Sequence, residues 1–230
     1  LWSGILATIA EKKGAEVGLL DLNALRMNYA GNLIPLKKIE EEISTNAWDL
    51  VGIGGLTTTY SRMKELIPLI RKNSPKSIII AGGGWITYNA PEIMQLIPEI
   101  DIACIGEGEE TFSEVLDEVK NKTFNFSDID GLCVKKENVF EYTPPRALIA
   151  DLSQVPYPAY HLYENDIYFR YSSQPHSAES MNAKQRMAVV WERGCPRGCT
   201  FCSHNGMSRG DQQNILGQGD RRAGEKLVRI

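Results

Sequence analysis

The chain lacks the features that mark several common protein classes. Its 25 Lys and Arg face 29 Asp and Glu, giving a net charge of −4, so it lacks the basic surface with which proteins bind nucleic acid. No run approaches the roughly 20 apolar residues of a membrane helix, and no signal peptide is visible. Histidine is scarce, and His161 and His176 have no partner at metal-ligand spacing. The remaining composition, 43% hydrophobic and 23% charged, predicts one sizeable core and a partial second domain.

The five cysteines do not suggest a disulfide framework, and an odd number fits a reducing cytosol. Cys104 and Cys133 lie in apolar, strand-like stretches and are expected to be small buried residues. The other three, Cys195, Cys199 and Cys202, form a Cys-x3-Cys-x2-Cys run in a Gly-rich loop. Such closely spaced thiolates can converge on one metal centre. A cubane cluster held at three corners keeps one iron open for a substrate or cofactor, whereas structural zinc sites and simple ferredoxin clusters take four protein ligands.

A Cys3His zinc site that adds His204 to the three cysteines is the alternative. Zinc ligands usually come as two pairs separated by a longer gap, and His204 lies only two residues after Cys202, so the spacing favours the cluster. Unliganded thiols are disfavoured because three in one loop invite oxidation. Arg193 and Arg197 would favour thiolates and offset the charge of a cluster, although ordinary solvated arginines explain them equally well.

Apolar periodicity in the N-terminal half predicts helices and strands in alternation. Helical spacing appears near residues 2–10, 36–43, 63–70, 93–96 and 112–119. Buried strands are predicted at 17–22, 50–54, 78–81 and 102–105. The run at 78–81 shows no polar alternation, so burial on both of its faces is expected. This alternation predicts an α/β fold built on a parallel sheet.

Glycines follow three of these strands where each strand ends. They lie in the stretches 54–59, 82–84 and 106–108, the first of which adds three threonines. Because parallel sheets bind ligands outside the carboxyl ends of their strands, these stretches predict one cofactor-binding edge. Tight turns explain any single glycine equally well.

A dinucleotide site at this edge is the generic alternative. No stretch completes the Gly-x-Gly-x-x-Gly pattern, and Glu107, Glu109 and Glu110 at a helix start would repel a pyrophosphate. These carboxylates suit the dipole of the helix that follows them.

The cysteine run, with Phe201 directly before its last cysteine, resembles the signature of the radical S-adenosylmethionine (SAM) superfamily. The resemblance implies that Cys195, Cys199 and Cys202 hold a 4Fe-4S cluster whose open iron is chelated by SAM. One-electron reduction would cleave SAM to a 5′-deoxyadenosyl radical that abstracts hydrogen from a substrate. Phe201 would lie near the adenine. An electron donor such as flavodoxin or ferredoxin is implied as a partner.

Three stretches of the N-terminal half resemble the cobalamin-binding domain that precedes many radical SAM domains: residues 52–60, 81–84 and 104–112. The Gly-Glu-Gly-Glu core of the last stretch is fairly specific. The resemblance implies that the pocket for the corrin and its nucleotide tail is lined by Thr57, Thr58, Thr59, Gly82, Gly83 and Gly84. It further implies cofactor contacts from Gly106, Glu107 and Gly108.

The chain departs from this pattern in two places. Corrinoid methyltransferase domains carry Asp-x-His-x-x-Gly, whose His ligates cobalt, whereas the matching place here has Asp21 and Asn23. Bound cobalamin would lack that lower ligand. The domain also normally opens with a strand, whereas this chain begins in the following helix, which predicts an N-terminally trimmed fragment.

Three segments are predicted. Residues 1–143 form a doubly wound, Rossmann/flavodoxin-like parallel-sheet domain that lacks its first strand and ends in a hairpin around Glu137 and Asn138. Residues 144–186 form a linker, and residues 187–230 start a truncated radical SAM (β/α) barrel whose first strand covers 187–191. Because a barrel needs many more residues than follow Cys202, the fragment itself is expected to be inactive.

The leading hypothesis is a cytoplasmic radical SAM enzyme with a cobalamin-binding domain. It would act by radical methyl transfer, rearrangement or cyclisation on a small-molecule or peptide substrate, without nucleic acid or a membrane span. No catalytic residue is assigned. Two alternatives stay open: a radical SAM protein with a vestigial domain that binds no cobalamin, and a zinc-binding flavodoxin-like binding module.

Overall fold

The computed structural model describes residues 2–28, 34–137, 139–171 and 193. The chain divides into two compact units. The first consists of Leu1–Thr45 with Pro156–Val190, and the second of Asn46–Val155 with Trp191–Ile230. The three clustered cysteines, Phe201 and the predicted barrel strand at 187–191 lie outside the described residues. The predicted boundaries of the three segments stay predictions.

Helices and strands alternate along most of the described chain. The helices are α1 (Trp2–Lys12), α2 (Leu22–Asn28), α3 (Leu36–Ile43), α4 (Tyr60–Asn73), α5 (Ala90–Leu96), α6 (Glu109–Asn121) and α7 (Asn165–Tyr171). The strands are β1 (Leu50–Gly54), β2 (Ile78–Gly82), β3 (Ile102–Cys104), β4 (Leu132–Lys136) and β5 (Val139–Tyr142). Among these helices, none is long and apolar enough to cross a membrane.

The second unit is built on a five-stranded sheet with the order β1-β2-β3-β4-β5. Strands β1, β2 and β3 are parallel, with Leu50 opposite Ile78 and Ile80 opposite Ile102. β4 and β5 continue the sheet as an antiparallel hairpin. The predicted α/β class, its parallel strands and the hairpin are therefore confirmed.

The core of this unit lies between one sheet face and α6. It contains the buried residues Ile80, Ile102, Cys104, Val115, Ile129, Leu132 and Val134. Residues at alternating positions, such as Ile79 and Ala81, are fully buried on the other face, which confirms the expected burial of β2 on both faces.

Arg71, near the end of α4, ties that helix to the amino end of the sheet. Its guanidinium donates to the backbone oxygens of Ser77 (2.6 Å) and Glu99 (2.9 Å) and to Asp101 Oδ2 (2.5 Å). Asp101 Oδ2 also accepts from the backbone N–H of Ile79 (2.6 Å). Hydrogen bonds of Arg71 and Asp101 thus occupy the amino edge of the sheet, while the glycine stretches lie at the opposite, carboxyl edge.

The prediction of a strand at 17–22 is wrong. Residues 15–21 adopt no regular structure, and α2 begins at Leu22. The carboxylate of Asp21 accepts hydrogen bonds from the backbone N–H groups of Asn23 (2.9 Å) and Ala24 (3.3 Å), which caps the start of α2. A strand also needs a neighbouring strand, and among the described residues this run has none.

Candidate functional site

The carboxyl edge of β1, β2 and β3 brings the three predicted glycine stretches together. Gly54 and Gly82 are opposite each other in the register of β1 and β2. A methyl group added at Gly82 would lie 3.7 Å from Cys104 Cβ on the neighbouring β3. The loops that follow these strands carry residues 57–59, 83–84 and 106–108. The predicted site residues of the N-terminal half therefore share one edge of one sheet.

The end of β1 presents a surface without side chains. Gly52 and Gly54 lie on the same face of the strand because side chains alternate, and both are exposed. A methyl group on Gly54 would meet only Gly82 O, at 3.8 Å, and one on Gly52 only Ile80 Cγ2, at 3.9 Å. Both distances are ordinary van der Waals contacts, so packing within the described residues does not require glycine here. The bare surface is available to a flat group.

Gly83 has a different, structural reason to be glycine. Its φ of +93° is a conformation that side chains rarely adopt, and a methyl group there would lie 2.6 Å from Gly55 O. The loop is also fixed by hydrogen bonds to its own carbonyls. Trp85 Nε1 donates to Gly82 O (2.8 Å), and Thr87 Oγ1 donates to Gly83 O (2.9 Å). The loops after β1 and β2 are therefore in close backbone contact.

The loop after β1 places three threonines ahead of α4. Thr57–Thr59 form one turn of 3-10 helix, and Thr59 Oγ1 donates to Leu56 O (2.7 Å). Thr57 and Thr58 are exposed, as is Leu56, whose surface is 67% accessible. Because α4 begins directly after this turn, its first backbone N–H groups lie at the same edge and can donate hydrogen bonds to an anionic group.

Glu107 and Glu109, in the stretch after β3, bind an arginine from much later in the chain. Arg193 Nη1 donates to Glu107 Oε1 (3.3 Å), and Arg193 Nη2 donates to Glu109 Oε1. The other oxygen of Glu107 accepts from the backbone N–H of Ile149 (2.7 Å). The Arg193 side chain is only 13% exposed and that of Glu109 only 9%. Both carboxylates are therefore engaged by the protein itself.

A second arginine, Arg146, binds two further acidic residues of α6, Glu110 and Glu114. Arg146 donates to Glu114 Oε2 (2.5 Å), to Glu110 Oε2 (3.3 Å) and to Thr111 Oγ1 (2.7 Å). The sequence analysis assigned Glu107, Glu109 and Glu110 to the helix dipole, and Arg193 to the solvent or the cysteine run. The sequence shows the opposite charges but not their pairing, because the paired residues lie 32 to 86 positions apart in the chain.

The two cysteines predicted to be buried are buried. Burial raises the pKa of the Cys104 thiol to about 12, with the charge of Glu109 adding to the effect. Burial likewise raises the pKa of the Cys133 thiol to about 11. Both are held as neutral thiols, which makes them poor metal ligands. Within the described part of the chain, no group of His, Cys, Asp and Glu could hold a metal ion.

The predicted cluster ligands Cys195, Cys199 and Cys202, and the predicted adenine contact Phe201, lie outside the described residues. Arg193 is the described residue nearest to them in sequence. Asn23, which the sequence resemblance matches to the cobalt-binding His of corrinoid methyltransferase domains, lies in α2.

Comparison with known proteins identifies relatives over most of the chain. Residues 1–116 match the family model of the B12 binding domain. An uncharacterised methyltransferase of Pyrococcus horikoshii is 32% identical over 154 residues, covering 66% of this chain and 31% of that protein. The anaerobic magnesium-protoporphyrin IX monomethyl ester cyclase of Synechocystis is 27% identical over 157 residues, covering 68% and 29%. The chain thus spans about a third of the length of these relatives.

Solved structures with the same fold include two enzymes with cobalamin bound. The radical SAM enzyme OxsB with aqua-cobalamin and SAM bound superposes with a TM-score of 0.66 at 20% identity, covering 88% of this chain and 25% of that chain. The radical SAM methyltransferase TsrM of Kitasatospora setae, with cobalamin and a [4Fe-4S] cluster bound, gives 0.63 at 17% identity, covering 88% and 38%. At these identities the likeness establishes the fold.

Proposed function

Because the chain belongs to the B12-binding-domain family, we propose that it is the cobalamin-binding part of a radical SAM enzyme. The observation that carries the proposal is the carboxyl edge, where a strand end without side chains adjoins an exposed threonine turn. Methyl transfer is the first candidate reaction, since relatives include methyltransferases, and ring closure is the second, since others are cyclases. The reaction, a small-molecule or peptide substrate, an electron donor and a cytoplasmic location all belong to this proposal.

The residues at the edge fit the chemistry of cobalamin. A flat macrocycle and an aromatic base need broad apolar contact without protruding side chains, which Gly52 and Gly54 leave open. The exposed hydroxyls of Thr57 and Thr58 can donate to amide oxygens of the corrin, and Leu56 offers apolar surface beside them. The N-terminus of α4 suits the phosphate of the nucleotide tail.

The cysteine run supplies the second half of the proposal. Cys195, Cys199 and Cys202 would hold a 4Fe-4S cluster, with Phe201 beside the adenine of SAM. When both groups are bound, the cluster supplies one electron for reductive cleavage of SAM and cobalamin carries the methyl group. The neutral thiols of Cys104 and Cys133 leave the clustered cysteines as the available thiolate ligands.

Metal analysis tests the cluster. The protein is reconstituted anaerobically with iron, sulfide and hydroxocobalamin, desalted, and assayed for iron, zinc and cobalt. We expect about four irons per chain, lost in Cys199→Ala but kept in Cys104→Ala, which removes a buried thiol instead. Zinc in place of iron would contradict the proposal and favour the zinc-binding module.

Cobalt retention tests the cobalamin edge. About one cobalt per chain is expected, and replacing Gly54 by Ala, Val and Leu should lower it progressively as larger side chains fill the bare surface. The same variants should keep the thermal stability of the wild type, because the first added carbon meets only Gly82 O at 3.8 Å. Iron without cobalt in the wild-type protein would instead favour the vestigial domain, a reading consistent with Asn23 in place of the cobalt-binding His.

A further inference from the structure

We infer that the stretch 106–110 is the anchor of the cysteine loop: Glu107 and Glu109 hold Arg193 and so fix where that loop begins. Arg193 precedes Cys195 by two residues. The inference deepens the proposed function and rests on it, because it takes Cys195 as a cluster ligand.

The geometry of the contact is that of a fixed anchor. The two terminal nitrogens of Arg193 go to two different carboxylates, on Glu107 and Glu109. Glu107 is itself held through its second oxygen by the backbone N–H of Ile149. Glu109 is in the first turn of α6, which is packed on the sheet through Val115. The receptor for the arginine therefore belongs to the rigid part of the unit.

The low exposure of these side chains makes the loss of one partner costlier than it is at a surface ion pair. Arg193 is 13% exposed, Glu107 20% and Glu109 9%. Solvent screens such groups little, and a partner left alone at this site keeps a largely desolvated charge. A lysine could not replace the arginine fully, since one ammonium group cannot present two divergent N–H donors in a fixed plane.

Because Arg193 and Cys195 are only two residues apart, fixing Arg193 also restricts the position of Cys195. Two residues of extended chain span at most about 7 Å, so fixing Arg193 confines the Cα of Cys195 to that distance from its own Cα. Gly106–Gly108 follow β3 at the carboxyl edge that also carries the threonine turn and Gly82–Gly84. The anchor would therefore bring the start of the cluster loop to the sheet edge proposed for cobalamin, as an enzyme that uses both groups requires.

The carboxylates of α6 offer an internal control. Glu114 is on the same helix as Glu109 but binds a different arginine, Arg146. A helix dipole alone would make all the acidic residues near the start of α6 equivalent. The anchor predicts instead that only Glu107 and Glu109 affect the cluster.

The experiment measures how tightly the full chain holds its cluster. Wild type, Arg193→Gln, Arg193→Lys, Glu109→Gln, the double variant Arg193→Gln/Glu109→Gln and the control Glu114→Gln are reconstituted with iron and sulfide. The iron content, the rate at which EDTA bleaches the cluster absorbance, and the thermal unfolding of the apo-protein are recorded. We expect Arg193→Gln and Glu109→Gln each to lose cluster absorbance about tenfold faster than the wild type. The double variant should bleach no faster than either single variant, and Arg193→Lys should bleach at an intermediate rate. Glu114→Gln should bleach at the wild-type rate even where its unfolding temperature falls.

Three results would overturn the inference alone: unchanged bleaching in the Arg193 and Glu109 variants, additive effects in the double variant, or bleaching that follows unfolding temperature across all variants including Glu114→Gln. Absence of iron in the wild-type protein would instead overturn the proposed cluster and the inference together. Arg193→Lys, which keeps the charge, separates a lost anchor from a failure to fold.

Discussion

Replacing Gly83 by alanine should destabilise the sheet unit more than the same replacement at Gly106, another glycine of the carboxyl edge with a positive φ. The new methyl group would lie 2.6 Å from Gly55 O and 3.3 Å from Gly55 N, closer than carbon normally approaches backbone atoms. The backbone of Gly83, with φ of +93°, is also a conformation that alanine adopts only at a cost. The unfavourable backbone conformation and the close contact both destabilise the Gly83→Ala variant.

The size of the effect follows from these two causes. The unfavourable backbone conformation costs alanine about 1–3 kcal/mol. Forcing the loops after β1 and β2 apart costs about 1–3 kcal/mol more, as in other overpacked sites. A total of about 4 kcal/mol would lower the unfolding temperature of a unit of this size by roughly 15 °C.

Gly106→Ala is the matched control. Gly106 also has a positive φ, +77°, but a methyl group there would meet nothing within 4 Å. Gly106→Ala should therefore lower the free energy of unfolding only by the cost of the backbone conformation, about 1–3 kcal/mol. Urea unfolding followed by circular dichroism measures both variants, with equal slopes required for the comparison. Equal losses in Gly83→Ala and Gly106→Ala would refute the close contact between Gly83 and Gly55.

Three further predictions concern the same unit. Burial raises the pKa of the Cys104 thiol to about 12 and that of the Cys133 thiol to about 11, from an ordinary thiol pKa of 9.0. The stabilisation due to these neutral thiols is therefore complete below pH 9.0 and is lost as the pH rises through the pKa values of the folded protein. The free energy of unfolding measured in urea should therefore fall above pH 9, with a limiting slope of about 1.4 kcal/mol per pH unit for each thiol. Cys104→Ala should remove the part of that slope due to Cys104. Arg146→Gln should cost about 2–3 kcal/mol in urea unfolding, since it loses the Thr111 hydroxyl and its carboxylate partners, and a loss under 0.5 kcal/mol would contradict these bonds. Lys122→Gly should raise the stability by about 0.5–1 kcal/mol, because Lys122 ends α6 with φ of 58°, and a lower midpoint would show that the lysine side chain matters more than its backbone.

The sequence predicted the elements of the sheet unit because their apolar spacing is local. Three parallel strands, the hairpin and the helices between them all follow from residues close together in the chain. The run at 17–22 was predicted wrongly for a local reason as well. The side chain of Asp21 caps a helix at Leu22, and a short apolar run cannot by itself decide between strand and coil when no partner strand is present among the described residues.

The pairing of charges could not be predicted in the same way. Glu107 and Glu109 had a sufficient local explanation in the dipole of α6, and Arg193 had one in the neighbouring cysteines. Their contact depends on how the chain returns to the sheet after more than 80 residues, which neither periodicity nor spacing records. Opposite charges in two separate motifs make a pairing conceivable, and only the fold selects the partners.

The positions at the carboxyl edge are glycine for two different physical reasons, and the sequence alone could not distinguish them. Gly83 is required by its own conformation and by the carbonyl of Gly55, so its presence says little about a ligand. Gly54 has ordinary backbone geometry and open space around it, so the described fold would accept a side chain there. A residue that the fold does not require to be glycine, in a strand where glycine weakens the sheet, has its explanation in what approaches the strand. Gly54, rather than the more strained Gly83, is therefore the position at which loss of cobalamin without loss of stability would be informative.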